Sequence, residues 1–157
     1  MQHMISLLVE DNPGVLARIS GMFTRRAINI TSLTVSPCEK PKLSRMTVVI
    51  NGSERELEQV RKQLNNLIEV IQVRELSSED AIVRDLCLLK VSAKKEQRAE
   101  ILQLAESYGA RVLDATLSTL TFELADEPRK IDRFVEIMRH FGIKQLLRSG
   151  ICAIARD

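Results

Sequence analysis

The stretch Glu10-Asp11-Asn12-Pro13-Gly14-Val15-Leu16-Ala17-Arg18-Ile19 joins a short apolar run to an amphipathic one, and its residue types suit ligand binding. The first N–H groups of a helix have no partner inside it, and that end carries partial positive charge. Such an end can hold a carboxylate. Gly14 lets a ligand approach the backbone closely, and Asp11 can pair with an ammonium group. The two together complement both ends of an α-amino acid. The same residues also make a plain helix start, with Asn12 as cap and Pro13 at the first helical position, and the local pattern alone favours that plainer reading.

Two further stretches carry weaker indications. Asn29 falls where a helix gives way to a strand, a turn position that would set its amide near a sheet edge, although Asn also suits such positions through local backbone bonding. Arg45 heads a strand and could meet a carboxylate across a subunit interface, but such arginines are more often simply solvated. No nucleophile, base or metal constellation accompanies them. His3 and His140 have no evident partners, and no GxSxG, HExxH, P-loop or dinucleotide fingerprint occurs. Autonomous catalysis is disfavoured.

The elements that must position these residues follow from periodicity. Met4 to Val9 reads as a strand. Val15, Leu16, Ile19, Met22 and Phe23 then recur at spacings of three and four, which predicts an amphipathic helix. Asn29 to Val35 and Ser44 to Asn51 are strand-like, separated by a loop at Ser36-Pro37-Cys38-Glu39-Lys40-Pro41. Leu57, Val60, Leu64 and Leu67 predict a second helix, and Glu69 to Arg74 a strand. This order is the split βαβ, ferredoxin-like arrangement. After Ser77-Ser78-Glu79-Asp80 the order recurs: a strand at Leu86 to Val91, a helix at Glu96 to Tyr108, strands at Arg111 to Ala115 and Thr119 to Leu124, a helix from Glu127-Pro128, and a last strand within Ser149 to Ala155. The expectation is an α+β protein of two ferredoxin-like βαββαβ domains, 1–76 and 83–157, joined by a linker at 77–82. A sheet with helices on one face leaves the other face for a partner, most simply in a symmetric dimer.

Composition narrows the function classes. The 157 residues are 45% hydrophobic, enough for a real core, with 23 Lys and Arg against 21 Asp and Glu and a formal charge of +2. Neither nucleic acid nor membrane is favoured by that balance. Aromatic residues make up 3%, and the strand Arg45 to Ile50 has none, which sets aside an RNA-recognition domain despite its similar order of elements. Cys38, Cys87 and Cys152 form no CxxC pair, and no apolar run is long enough to span a bilayer; a reducing, cytoplasmic location is expected. Lys90, Arg111 and Arg148 are candidate partner contacts, though solvated surface suits each at least as well.

The strings VEDNPGVLARISGMFTRRAINITSLTV, LSRMTVVI and LEQVRKQLNNLIEVIQVREL resemble the small subunit of acetolactate synthase, whose N-terminal half is an ACT domain. The likeness is dense from Met4 to Leu76 and looser to Ile154, through LCLLKV and RSGICAIAR. It implies a homodimer with a branched-chain amino acid, typically valine, at the interface, held here by Asp11, Asn12, Gly14, Val15 and Leu16 in the first turn and by Asn29 and Ile30 at the facing strand start. It also implies a large catalytic subunit that this chain activates and subjects to feedback inhibition. That partner would carry thiamine diphosphate, magnesium and FAD, with no cofactor bound by this chain. Two positions depart from the family pattern: Asp11, where Asn is commoner, and Ala27, where Gly is commoner. The alternative implied is a stand-alone ACT-type amino-acid-binding regulator of a different enzyme.

Overall fold

A computed structural model describes residues 1–157. The chain divides into two compact units, Met1–Ile82 together with Ile151–Asp157, and Val83–Gly150. In the first, β1 (Gln2–Glu10), α1 (Val15–Arg25), β2 (Ile30–Pro37), β3 (Leu43–Asn51), α2 (Glu54–Asn65) and β4 (Val70–Leu76) build an antiparallel sheet of order β2-β3-β1-β4. In the second, β5 (Ala81–Ser92), α3 (Arg98–Ser107), β6 (Arg111–Ala115), β7 (Thr119–Asp126), α4 (Pro128–Arg139) and β8 (Ile143–Arg148) repeat the plan as β6-β7-β5-β8. Both are ferredoxin-like α+β units, as expected from the repeated order of elements.

Alternation in β1 turns Ile5, Leu7 and Val9 toward the helices, where they meet Met46, Val48 and Ile50 of β3. Val15, Ile19, Met22 and Phe23 of α1 and Leu57, Val60 and Leu64 of α2 close the core above them. Ser53 starts α2 through a capping box, its hydroxyl accepting from Glu56 N–H at 3.2 Å while Glu56 Oε1 accepts from Ser53 N–H at 3.0 Å. The second core gathers Leu89, Val91, Ile101, Leu120, Ile131 and Met138 around Phe122 and Phe134, whose rings meet edge to face at 6.1 Å.

Two expectations need correction. The last strand, expected within Ser149 to Ala155, is present at Cys152–Ala155 and pairs with β5, but the sequence missed the strand before it, Ile143–Arg148, which as an edge strand of sequence IKQLLR has no clean apolar alternation to announce it. Residues Ile151–Asp157, expected at the end of the second domain, instead return to the first unit, where β9 (Cys152–Ala155) lies. There the segment covers part of the sheet face that was expected to stay open for a partner. Thr34 Oγ1 donates to the Ile151 carbonyl at 3.0 Å, Ile151 N–H donates to Ser32 Oγ at 2.7 Å, and Ala153 N–H to Thr47 Oγ1 at 3.3 Å. Ser and Thr at those positions supply side-chain partners for backbone groups that no neighbouring strand satisfies.

Candidate functional site

The first turn is fixed where the chain leaves β1. Glu10 N–H donates to the Glu69 carbonyl and Asp11 N–H to the Lys42 carbonyl, each at 2.9 Å. Gly14 then adopts the left-handed conformation, φ 88°, immediately before α1, and no side chain caps the helix. Asn12 is therefore not the cap expected from the sequence, nor is Pro13 the first helical residue. The Asn12 side-chain NH2 donates to the Glu10 carboxylate at 3.0 Å, and it is the main-chain carbonyl of Asn12, not its side chain, that accepts from Val15 N–H at 3.4 Å. With no acidic residue in its first turn either, the N-terminus of α1 keeps unpaired donors and its partial positive charge.

Asp11, Asn12, Gly14 and Leu16 are all exposed at this end. Val15 is not: its side chain belongs to the core, so only its backbone faces the turn. A Cβ placed on Gly14 would meet nothing within 4 Å, so the glycine serves conformation and leaves open space beside the helix end. Arg18, one turn into α1, pairs with Glu69 and ties the helix to the start of β4.

Asn29 and Ile30 lie past the other end of α1. The helix stops in a Schellman motif, with Ala27 N–H donating to the Thr24 carbonyl and Ile28 N–H to the Phe23 carbonyl, each at 3.1 Å. Ala27 occupies the left-handed position of that motif, φ 56°. Beyond it Asn29 is exposed and Ile30 half-buried. Within a single chain these residues do not meet the first turn. Glu10 stands opposite Leu43 at one end of the sheet, while Ile30 stands opposite Ile50 at the other. At ~1.5 Å per residue, α1 alone puts roughly 16 Å between them.

A concavity of the first unit lies elsewhere, on the sheet face away from the helices. A cleft of about 330 Å³ has Leu8 and Leu76 in its floor and Ile154 and Ala155 of β9 along one side, with Arg45, Gln72 and Arg74 also lining it. None of the first-turn residues takes part. Arg74 Nη2 donates to Asp157 Oδ1 at 2.9 Å, and this bond holds the Asp157 carboxyl below its usual range. Arg45 finds its carboxylate within the chain, donating through Nε and Nη2 to Glu39 at 3.3 and 2.8 Å. Its strand position was legible in the sequence. The cleft was not, because β9 arrives from a distant part of the chain.

In the second unit Arg148 proves to be structural rather than a free docking residue. It donates to the buried Asp85 at 2.8 Å and pairs with Asp132. Burial disfavours its charge, yet the two carboxylates outweigh that and raise its pKa. Asp85 also accepts from Ser149 Oγ at 3.3 Å and Gly150 N–H at 3.2 Å. Arg111 stands 3.6 Å from Glu123 across the β6–β7 pair.

Residues 5–72 match the family model of the AHAS small subunit-like ACT domain, and residues 84–157 match that of the small subunit of acetolactate synthase. The chain is 46% identical over 156 residues to a protein of Archaeoglobus fulgidus named "Probable acetolactate synthase small subunit", covering 99% of this chain and 98% of that one. It is 40% identical over 154 residues to the acetolactate synthase small subunit of Mycobacterium leprae, covering 98% and 91%. The crystal structure of the acetolactate synthase small subunit from Thermotoga maritima superposes with a TM-score of 0.92 at 31% identity, over 100% of this chain and 98% of that one. On the whole-length identity and the fold alike, this chain belongs to the acetolactate synthase small-subunit family, as a regulatory subunit whose first unit is an ACT domain.

Proposed function

We propose that this chain binds a branched-chain amino acid, typically valine, between the first units of two copies, and that binding feeds back on a large catalytic acetolactate synthase subunit which the same chain activates. The observation that carries the reading is the unpaired outer edge of β2. β1 and β2 run the same way, so the first turn and the end of β2 share one end of the sheet, and Asn29 with Ile30 share the other. If two β2 edges pair antiparallel about a twofold axis, the start of each β2 lands at the end of the sheet that holds the partner's first turn. Each site then has the α1 N–H groups and Asp11 from one copy and Asn29 with Ile30 from the other. The N–H groups and helix dipole suit the effector carboxylate, Asp11 its ammonium, and exposed Leu16 its aliphatic chain.

Occupancy of such a site would stabilise one arrangement of the pair, and a catalytic subunit that couples differently to the two arrangements would read it out. Cofactor chemistry belongs to that partner. Calorimetric titration of the purified chain with valine, leucine and isoleucine should show one of them binding at each interface site. The Asp11→Ala, Asn29→Ala double variant should lose it. Absence of binding by all three would overturn the effector assignment while leaving the family membership intact.

A further inference from the structure

We infer that Ser32 and Thr34 are positioning residues for regulation: by gripping Ile151 they pass the state of β2 along the chain into the second unit. This role rests on the effector reading above, in which Asn29 and Ile30 at the start of β2 form half of each site. Thr31 comes next and donates to the Val49 carbonyl within the same sheet, at 3.1 Å. Ser32 is then the first residue of β2 past the site whose side-chain bond leads out of that sheet.

Ser32 and Thr34 stand two apart on β2, and hence on one face of it, opposite Val49 and Thr47 of β3. Between them they hold both backbone groups of one residue. Ile151 N–H donates to Ser32 Oγ at 2.7 Å, and Thr34 Oγ1 donates to the Ile151 carbonyl at 3.0 Å. Ile151 is the first residue of the segment that returns to the first unit, and Gly150 is the last residue of the second. Gly150 is held on its own side. It adopts φ 100°, a turn that a side chain would strain, and its N–H donates to Oδ1 of the buried Asp85 at 3.2 Å. Ser149 before it donates through its N–H to the Leu86 carbonyl at 2.9 Å, while its Oγ accepts from Leu86 N–H at 3.1 Å. The two anchors are therefore consecutive residues. One planar peptide joins them, and no slack linker lies between to absorb a displacement. An effector that orders Asn29 and Ile30 steadies β2, and the two hydroxyls carry that constraint to Ile151 and so to Gly150.

The test compares the full-length wild-type chain with the Ser32→Ala, Thr34→Val double variant, and with Thr34→Ser, which keeps its hydroxyl. Amide hydrogen exchange on the chain alone needs no effector. The double variant should exchange Ile151 N–H faster and, across the junction, Gly150 N–H roughly fivefold faster or more. Unchanged protection at Gly150 would overturn the proposal. The same chains are then titrated calorimetrically with valine, leucine and isoleucine, and assayed for acetolactate formation after reconstitution with the catalytic subunit. The double variant should bind the effector within about twofold of wild type and still activate, while inhibition at saturating effector falls by about half or more. Thr34→Ser should stay inhibited. Inhibition as complete as in wild type, or binding and inhibition lost in parallel, would overturn the proposal. Absence of binding by the wild-type chain, with Gly150 released in the double variant, would remove the effector assignment and leave the linkage standing.

Discussion

Gly14 and Asn29 flank α1 at its two ends, and no fold of a single chain around that helix can bring them to one ligand. A site that uses both must borrow one of them from a second copy.

Mixed dimers test that requirement directly. A chain carrying Asp11→Ala and a chain carrying Asn29→Ala should each bind no valine alone. When mixed and allowed to exchange, each heterodimer regains one site built from the two unaltered halves. About a quarter of the wild-type sites should return in an equal statistical mixture, counted by calorimetry. No recovery would mean that both residues act within the same chain or not at all.

Ala27 sits at φ 56°, in the left-handed position of a Schellman motif, and its side chain is exposed. A Cβ is strained there, whereas glycine is at ease. Ala27→Gly should raise unfolding free energy by about 0.5–1 kcal/mol, the relief of strain less the greater chain entropy of glycine when unfolded. Urea denaturation measures it, and a destabilised variant would contradict the assignment of strain.

Arg148 is the counterion of Asp85, whose side chain is only 4% exposed. Arg148→Ala leaves that carboxylate with Ser149 and the Gly150 N–H alone, and should cost about 3 kcal/mol in thermal or chemical unfolding. If Arg148 were instead a surface contact, its loss would barely change stability and would lower affinity for the catalytic subunit.

Glu56 is held below the usual glutamate value of 4.5 first by the Ser53 N–H it accepts and then by the Ser53 hydroxyl. A carboxyl whose folded pKa is depressed adds stability that is complete above its unfolded value and disappears as pH falls through the folded one. The carboxylate half of the capping box should therefore be intact at neutral pH and fade as acidification carries the solution below the usual glutamate value, while the bond from the Glu56 N–H to the Ser53 hydroxyl persists. Ser53→Ala, which removes the hydroxyl, should cost about 1 kcal/mol in chemical unfolding at pH 7, whereas Glu56→Gln should flatten the acid-dependent part of the stability.

Cys87 is fully buried in the second core, and desolvation raises its thiol pKa, while Cys152 is exposed and Cys38 partly so. Ellman's reagent should label Cys152 quickly and Cys38 more slowly, and Cys87 only at the rate of unfolding. Rapid native-state labelling of all three would show that the second core opens locally.

The reach of the sequence can be judged on particular residues. Val15, Ile19, Met22 and Phe23 announce α1 because a buried helix face must repeat every three to four residues, and all four are buried. The first turn was legible only in part: the sequence set its cap at Asn12 and its first helical residue at Pro13, whereas Gly14 takes the left-handed conformation directly before Val15. Ile143–Arg148 escaped notice because an edge strand with Lys144, Gln145 and Arg148 in it carries no such repetition. The strapping of Ile151 and Ala153 to Ser32, Thr34 and Thr47 joins residues more than a hundred positions apart through ordinary hydroxyls, and no local pattern encodes it. Asn12 misled because the cap position falls two residues later, on Gly14, so no side-chain oxygen caps α1.

The free edge of β2 also has a selective consequence. Successive side chains of a strand point to opposite faces, so a second β2 that slipped by one residue would turn its helix layer to the wrong side of the joined sheet. A slip of two residues would keep the layers aligned yet carry the partner's Asn29 about 7 Å from the turn at Gly14, beyond the span of a hydrogen bond. Of all the ways two such edges can zip together, one alone assembles both halves of the pocket. On the proposed pairing, an amino acid that fits the pocket would act as a proofreader of alignment, rewarding the correctly registered pair and leaving its misaligned rivals without benefit.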